Sequence, residues 1–248
     1  MTAALLIPMV LYYVVGLAFI VLEWKWPARK YERRPQIIGD LVAAAALFGL
    51  PFGEEAFRKL LRDHLLQAEV LPQIHPLLAG GLIFVAADFL AYWMHRVIHL
   101  PAVWQVHRWH HMPDVLYWLS GSRGTVLHGI FLFGIPAAIL HLLGADLVPA
   151  TTFWLGFGIV FNLLHNHWTH SNTNLAPRWI EAVLVSPRIH RIHHASEPRL
   201  RDRNFGFVFS IWDRMFGTYA DPDVVGTEYR LGENSPSWKA QARAFIGI

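Results

Sequence analysis

Five apolar stretches dominate this sequence and restrict the folds that it can adopt. They lie at about 4–22, 37–53, 78–94, 126–144 and 148–166. Helices of roughly 17–20 apolar residues can cross a hydrocarbon core about 30 Å thick. The second stretch is the weakest candidate, because it is short and contains Asp40, Gly49 and Pro51. The pattern predicts an all-α bundle of four to five transmembrane helices.

The composition agrees with a membrane environment. Only 16% of the residues are charged and 54% are hydrophobic, whereas soluble proteins have about 25% charged residues. The first stretch has no Lys or Arg before it and no small-residue cleavage motif after it, so we expect an uncleaved anchor. The formal net charge of +3 is small. Membrane topology explains it better than nucleic-acid binding, and no nucleic-acid partner is expected.

The positions of the basic residues predict the topology. Five crossings place every Lys and Arg except Arg58, Lys59 and Arg62 on the side of the loop that follows the first stretch. Short cytoplasmic loops are enriched in Lys and Arg. We therefore expect the N-terminus outside and the C-terminus inside. Residues 54–77 are expected to form a surface helix at the outer interface, and residues from about 171 to 248 a cytoplasmic, histidine-rich helical cap.

Histidine is unusually frequent, with 15 residues in a chain that has no cysteine. Residues at i, i+3 and i+4 share one face of a helix, so clustered histidines at these spacings can converge on one or two metal ions. An all-nitrogen ligand set suits iron, zinc, copper or nickel, and spacing does not choose among them. His64, His75 and His141 stand apart from the clusters and are assigned structural roles. The four clusters are His95 and His99; His107, His110 and His111; His165, His167 and His170; and His190, His193 and His194.

Three histidines have a less direct assignment. His167 lies three residues before His170 and so shares its helical face, whereas His165 reaches the same site only if the helix is distorted near its end. His128 lies near the start of the fourth apolar stretch. It can either reach the metals or serve as an interfacial histidine with a hydrogen-bond partner.

Asp88 is an acidic residue inside the third apolar stretch. A carboxylate within a membrane is costly and usually has a partner. Asp88 lies seven residues before His95, near the same helical face, so we expect it to accept a hydrogen bond from a histidine and fix its tautomer. Pairing with Arg96 or with a Tyr hydroxyl group is the alternative.

The histidine motifs occur in a recognisable order. HRVIH is followed by HRWHH, then by HNHWTHSN and then by SPRIHRIHHA, with DFLAYWMHRVIH leading into the first motif and NFGFVFSIWDRMFGTY after the last. This arrangement resembles the membrane histidine-box enzymes of the fatty acid hydroxylase and sterol desaturase superfamily. The resemblance covers about residues 80–220 of a single predicted domain, 1–248, in which residues 1–77 provide N-terminal membrane helices and the interfacial segment.

The resemblance implies an O2-dependent di-iron centre that hydroxylates an unactivated C–H bond of a fatty acyl, sterol or related lipid, or desaturates it. The lipid would reach the site from the bilayer. No haem-attachment motif, GxGxxG motif or cysteine cluster is present, so electrons are expected from a separate reductase or carrier protein. The implied iron ligands are His95, His99, His107, His110, His111, His170, His190, His193 and His194, with His167 added to them.

Two functions outside oxygenase chemistry remain as alternatives. A zinc-dependent membrane hydrolase would use a metal-bound water and a nearby general base, but HExxH is absent and no Glu lies inside a histidine motif. A metal transporter would place its ligands near the middle of the membrane. The histidine clusters instead fall at or beyond the cytoplasmic ends of the predicted spans.

Overall fold

In a computed structural model of the chain, residues 3–30, 34–46, 56–57, 59–61, 63–64, 74–145, 151–233 and 237–247 are described. These residues contain helices and two isolated β-bridges, Leu184 with Phe209 and Ala195 with Leu231, but no strand. The all-α prediction is confirmed for the described residues. The helices are α1 (Ala3–Lys25), α2 (Arg34–Ala46), α3 (Pro76–Ile98), α4 (Gln105–His111), α5 (Val126–Leu142), α6 (Thr151–His170), α7 (Arg178–Glu181), α8 (Pro187–His193), α9 (Ile211–Met215), α10 (Pro222–Val225) and α11 (Trp238–Ile246).

The helices coincide with the apolar stretches as far as the structure describes them. Helices α1, α3, α5 and α6 follow the first, third, fourth and fifth stretches, and α2 follows the start of the second. Residues 47–53 and 146–150 lie outside the described residues. Among the described residues, one helix, α3, is long and apolar enough to cross a membrane, and only 28% of its apolar window is buried in the protein. Most residues of α3 are thus half-buried, and its exposed positions, such as Leu77, Leu78 and Leu82, lie in its N-terminal half.

Part of the predicted surface helix is visible. Residues 56–57, 59–61 and 63–64 are helical, and Lys59 pairs with Asp63 one turn later. The predicted segment 54–77 is nevertheless too long, because Pro76 already begins α3. Proline is favoured in the first turn of a helix, where its missing N–H has no partner in any case. The intervening residues 65–73 lie outside the described residues.

Helix α5 changes its winding part-way along. Residues Ile130–Gly134 form a π-helical turn, in which the N–H of Ile135 donates to the carbonyl of Ile130. Pro136 follows at once. Proline has no N–H to donate and its ring clashes with the carbonyl four residues earlier, so it interrupts ordinary α-helical bonding. The wider turn accommodates that interruption.

A buried ion pair connects α2 to the loop between α4 and α5. Arg123 and Asp40 have side-chain exposures of 1% and 0%, and Nε of Arg123 lies 2.5 Å from Oδ1 of Asp40. The hydroxyl of Tyr117 also donates to Asp40, and Arg123 donates to the carbonyl of Gln36 at 3.0 Å. Asp40, which weakened the second apolar stretch as a span, is thus satisfied inside the protein.

We expect Arg123→Met to destabilise the protein by about 3–5 kcal/mol, because it leaves the Asp40 carboxylate buried without its cationic partner. The matched control is Arg199→Met. Arg199 is 56% exposed and pairs with Glu197 at the surface, where a salt bridge contributes about 0–1 kcal/mol. Thermal unfolding in detergent, recorded by circular dichroism, measures the difference. Equal midpoints for the two variants would contradict the structural role of the buried pair.

Candidate metal centre

The described histidines converge in two adjacent groups. Within each group, the candidate ligand nitrogens all lie within 4.8 Å of one another. Histidines at the C-terminal ends of α3 and α6 meet those of the short helices α4 and α8. The structure thus brings together nine histidines from four separate stretches of sequence. The first group comprises His95, His99, His107, His111 and His193, and the second comprises His110, His170, His190 and His194.

Each HxxHH motif contributes to both groups. In α4, His107 and His111 belong to the first group, and in α8 His193 belongs there too. The remaining members of the two motifs belong to the second group. Successive residues of an α-helix are rotated by about 100° about its axis. Residues i and i+4 are therefore separated by about 40°, and residue i+3 lies on the side of residue i that is opposite to i+4. Each helix therefore holds the two groups at a fixed position relative to one another.

The spacing of the nitrogens matches that around a metal ion. Two imidazole nitrogens that each lie about 2.1 Å from one ion are about 3.0–3.4 Å apart. In the first group Nε2 of His107 lies 2.9 Å from Nε2 of His95 and 3.1 Å from Nε2 of His111. In the second group Nε2 of His190 lies 2.9 Å from Nε2 of His170 and 3.1 Å from Nε2 of His194.

The other ring nitrogen of several histidines contacts a backbone carbonyl. A carbonyl oxygen can only accept, so Nδ1 carries the proton and Nε2 presents its lone pair to the group. The Nε2 atoms of His99 and His193 are buried without a hydrogen-bond partner and remain available to bind a metal. The carbonyl pairs are His95 with Phe205 (2.8 Å), His110 with Arg123 (2.9 Å), His170 with Asn166 (2.9 Å) and His193 with Arg203 (2.9 Å).

Two ligand histidines have side-chain partners instead. Nδ1 of His99 donates to Oδ1 of Asp202 at 3.1 Å, and this hydrogen bond holds the pKa of Asp202 below its ordinary value. Nδ1 of His107 lies 2.9 Å from Nδ1 of His128. His128 belongs to neither group. The structure thus places His128 beside a member of the first group, and its weaker assignment as a metal ligand stays a prediction.

Burial keeps these imidazoles neutral. It lowers the pKa of His110 to about 4, and it lowers the pKa of His107 and of His193 well below the ordinary value for imidazole. Neighbouring imidazoles add to the effect on His107 and His193, because two charged rings would repel one another. Neutral imidazole is the form that binds a metal.

His167 and His165 lie outside both groups. His167 faces α1, where its ring contacts Tyr12 at a centroid distance of 4.2 Å, and it stacks on Trp118 at 5.4 Å. His165 stacks on Phe161 of its own helix, with ring centroids 5.4 Å apart. The structure therefore does not bring His167 together with His170 in the second group. The spacing i, i+3 also allows the residue to face a neighbouring helix.

Among the described residues, Asp88 has no hydrogen bond to a histidine. Its carboxylate accepts hydrogen bonds from the backbone N–H groups of Val208 (2.8 Å) and Phe209 (3.1 Å) and from Nε1 of Trp212 (2.8 Å). The prediction that it fixes a histidine tautomer is therefore wrong. None of these hydrogen bonds involves Arg96 or a Tyr hydroxyl group, so the alternative pairing is not found either. Asp88 instead fixes the backbone of Val208 and Phe209, in the segment that follows Phe205, by hydrogen bonds.

The sequence alone did not identify Asp213. Its buried carboxylate accepts from the N–H groups of Phe205 (2.7 Å) and Gly206 (2.8 Å) and from the hydroxyl of Thr218 (2.7 Å). It therefore fixes the peptide whose carbonyl orients His95. A polar residue in the largely apolar string NFGFVFSIWDRMFGTY is the one signal that pointed to such a role.

The comparisons with known proteins agree with this geometry. The model of the fatty acid hydroxylase family matches residues 81–218, which is more than half of the chain. The chain belongs to this family. Its superfamily, suggested by the order of the histidine motifs, is thereby confirmed. No solved structure matches the chain.

Several curated relatives are lipid-modifying oxidoreductases. Alkylglycerol monooxygenase of Danio rerio is 33% identical over 159 residues, which are 61% of this chain and 33% of the relative. Ornithine lipid hydroxylase OlsE of Rhizobium tropici is 30% identical over 140 residues (56% and 40%). A probable Delta(7)-sterol 5(6)-desaturase of Neurospora crassa is 25% identical over 171 residues (64% and 43%). The chain thus spans about a third to two fifths of the length of these relatives.

We expect His193→Ala to remove the metal of the first group and His190→Ala that of the second, because each deletes one buried imidazole from its ligand set. Loss of one metal ligand greatly weakens binding. The metal content of purified, desalted protein, measured by mass spectrometry, tests this. His64→Ala is the control, because His64 is exposed and lies outside both groups. Full metal retention by His193→Ala or His190→Ala would contradict the assignment of that residue.

Proposed function

We propose that this chain is an integral-membrane oxygenase that uses O2 and two iron ions to hydroxylate an unactivated C–H bond of a lipid. The convergence of nine histidines, eight of them buried, in two adjacent groups carries the proposal. The names of the curated relatives support the reaction class, because they include monooxygenases and lipid hydroxylases that act on apolar or amphiphilic substrates. Electrons are proposed to come from a separate reductase or carrier protein.

The residues of the chain fit a pair of irons and prepare the site for them. Iron bound to both groups would supply the activation of O2 that attack on an unactivated C–H bond requires. The backbone carbonyls of Phe205 and Arg123 hold two of the ligand rings in orientation, one in each group. The buried ring of Phe205 contacts His95 and His99, with ring centroids 5.7 and 4.9 Å apart. Such apolar cover excludes water from this side of the site.

Desaturation is a second candidate for the same site. The sterol desaturase of Neurospora crassa supports it, because that relative matches 64% of the chain. Hydroxylation and desaturation both begin with removal of hydrogen from an unactivated carbon. They differ in whether the carbon then gains a hydroxyl group or a neighbouring carbon loses a second hydrogen. The ligand geometry is compatible with both, and the nature of the product distinguishes them.

A zinc hydrolase has less support from the geometry. Hydrolysis at zinc needs a general base next to the metal-bound water. The two groups of described residues consist of histidines alone. Asp202 is the nearest acidic partner, but it accepts from the outer nitrogen of His99 and is 55% exposed.

The multi-pass topology is part of the proposal. His95 lies in the last turn of α3 and His99 caps its C-terminus, so the first group sits at one end of a membrane-length helix. We propose that this end is cytoplasmic, that the N-terminus lies outside, and that α1, α2, α5 and α6 complete the bundle. A lipid chain could then approach the ligands from the bilayer.

The first test is a product analysis. Membranes from cells that express the chain should contain a lipid that has gained one oxygen atom, detected by mass spectrometry. The new lipid should be absent when His107→Ala replaces the natural chain, because that variant lacks a ligand of the first group. It should be present with His64→Ala. A lipid that has instead lost two hydrogens would establish desaturation, and an unchanged lipid profile together with iron-free protein would contradict the proposal.

The second test addresses topology. The chain has no cysteine, so single cysteines introduced at chosen positions report their own accessibility. A membrane-impermeant maleimide should label His64→Cys in intact cells, because this residue is exposed and assigned to the outer side. It should label Glu228→Cys, which is exposed in the C-terminal region, only after permeabilisation. The reverse labelling pattern would contradict the proposed orientation.

A further inference from the structure

Three residues within one stretch of four provide acceptors for three of the five histidines in the first group. The carboxylate of Asp202 accepts from His99, the carbonyl of Arg203 from His193, and the carbonyl of Phe205 from His95. We call residues 202–205 the orienting loop. None of the described hydrogen bonds links this loop to a histidine of the second group, so its direct contacts are confined to the first.

The backbone of the orienting loop explains how neighbouring residues can aim at different rings. Asp202 and Asn204 have positive φ angles of 58° and 55°, and they are the two non-glycine residues with this conformation in the described ranges. Asp and Asn tolerate the left-handed region better than other residues with a Cβ atom. Because the left-handed residues alternate with ordinary ones, the carbonyls of Arg203 and Phe205 both face the histidines.

The orienting loop is also fixed by hydrogen bonds to residues other than the histidines of the first group. The side chain of Asn204 accepts from the N–H of Ala220 at 2.8 Å and donates to the carbonyl of Ile189 at 3.1 Å. Asp213 accepts from the N–H of Phe205 at 2.7 Å. These bonds fix the peptide groups of the loop independently of the histidines. The acceptors are therefore in place before a metal binds.

Asp202 differs from the other acceptors because it is charged. Among the described histidines of the two groups, His99 alone donates to a carboxylate, whereas the Nδ1 atoms of the others with a described partner contact a backbone carbonyl, a hydroxyl group or another imidazole. A carboxylate that accepts from a ligating imidazole increases the electron donation of that ring to the metal. A nearby negative charge also stabilises the more highly charged, oxidised ion.

We propose that the orienting loop positions the ligands of the first group, and that the Asp202 carboxylate gives this metal position a lower reduction potential than the second. The inference rests on the proposed metal centre and specifies a difference between its two halves. Asp202 acts through His99, so it is a positioning residue. Its effect on the metal is separable from its effect on the fold, because Asn tolerates the same backbone conformation.

The test compares two substitutions at position 202. Asp202→Asn keeps the size of the side chain and an oxygen that accepts from His99, but removes the charge. We expect it to retain both irons, to raise the reduction potential of one iron, and to change one of two quadrupole doublets in the Mössbauer spectrum. Asp202→Gly keeps the backbone conformation and removes the acceptor. We expect it to lose iron from the first group while the second group keeps its own.

Glu228→Gln is the control for charge, because Glu228 is exposed and its carboxylate has no described bond to a ligand histidine. It should leave iron content, potential and spectrum unchanged. The inference is overturned if natural protein holds two irons while Asp202→Asn and Asp202→Gly both match it in content, potential and spectrum. It is also overturned if Asp202→Asn shifts both irons equally. Natural protein without iron would instead contradict the proposed function itself.

Discussion

Nine imidazole rings are buried side by side in this protein, and their burial is the constraint on which the surrounding structure depends. A buried polar nitrogen without a partner costs free energy. The protein satisfies the outer nitrogen of several rings with a backbone carbonyl and leaves the inner nitrogens facing one another at about 3 Å. Inward-facing imidazole nitrogens this close together are unfavourable in a protein core without a ligand, and they are favourable around a bound cation. The loops that supply the carbonyls must therefore be as well fixed as the helices that carry the histidines.

Much of the site could be predicted from the sequence because its ligands lie on short helical motifs. Nine of the ten histidines implied by the family resemblance converge in the structure, and His167 is the exception. The spacing rule failed at His167 because a helix of 20 residues turns more than one face toward the protein. His167 packs against α1, and sequence spacing contains no information on where α1 lies. The all-α fold class could be predicted for the same reason as the ligands, because each apolar stretch that forms a helix is continuous in the sequence.

The acidic residues show what the sequence could not supply. Asp40, Asp88 and Asp213 are all buried. Asp40 and Asp88 bind partners 83 and 120 residues away, whereas Asp213 binds backbone N–H groups 7 and 8 residues before it. A carboxylate in an apolar stretch indicates that a partner exists, but its identity depends on the tertiary fold. Asp88 satisfies the backbone of a segment 120 residues later. The positive φ angles of Asp202 and Asn204 could not be predicted from the sequence either, because Asp and Asn occur in many other conformations.

The division of each HxxHH motif between two groups has a consequence for how the centre can vary. Rings on one short helix move as a unit, so a rotation of α4 or α8 displaces ligands of both metal positions together. The separation of the two positions is consequently governed by the pitch and radius of the α-helix, which substitutions elsewhere do not alter. Changes in the apolar surroundings would therefore leave the distance between the two histidine groups unchanged.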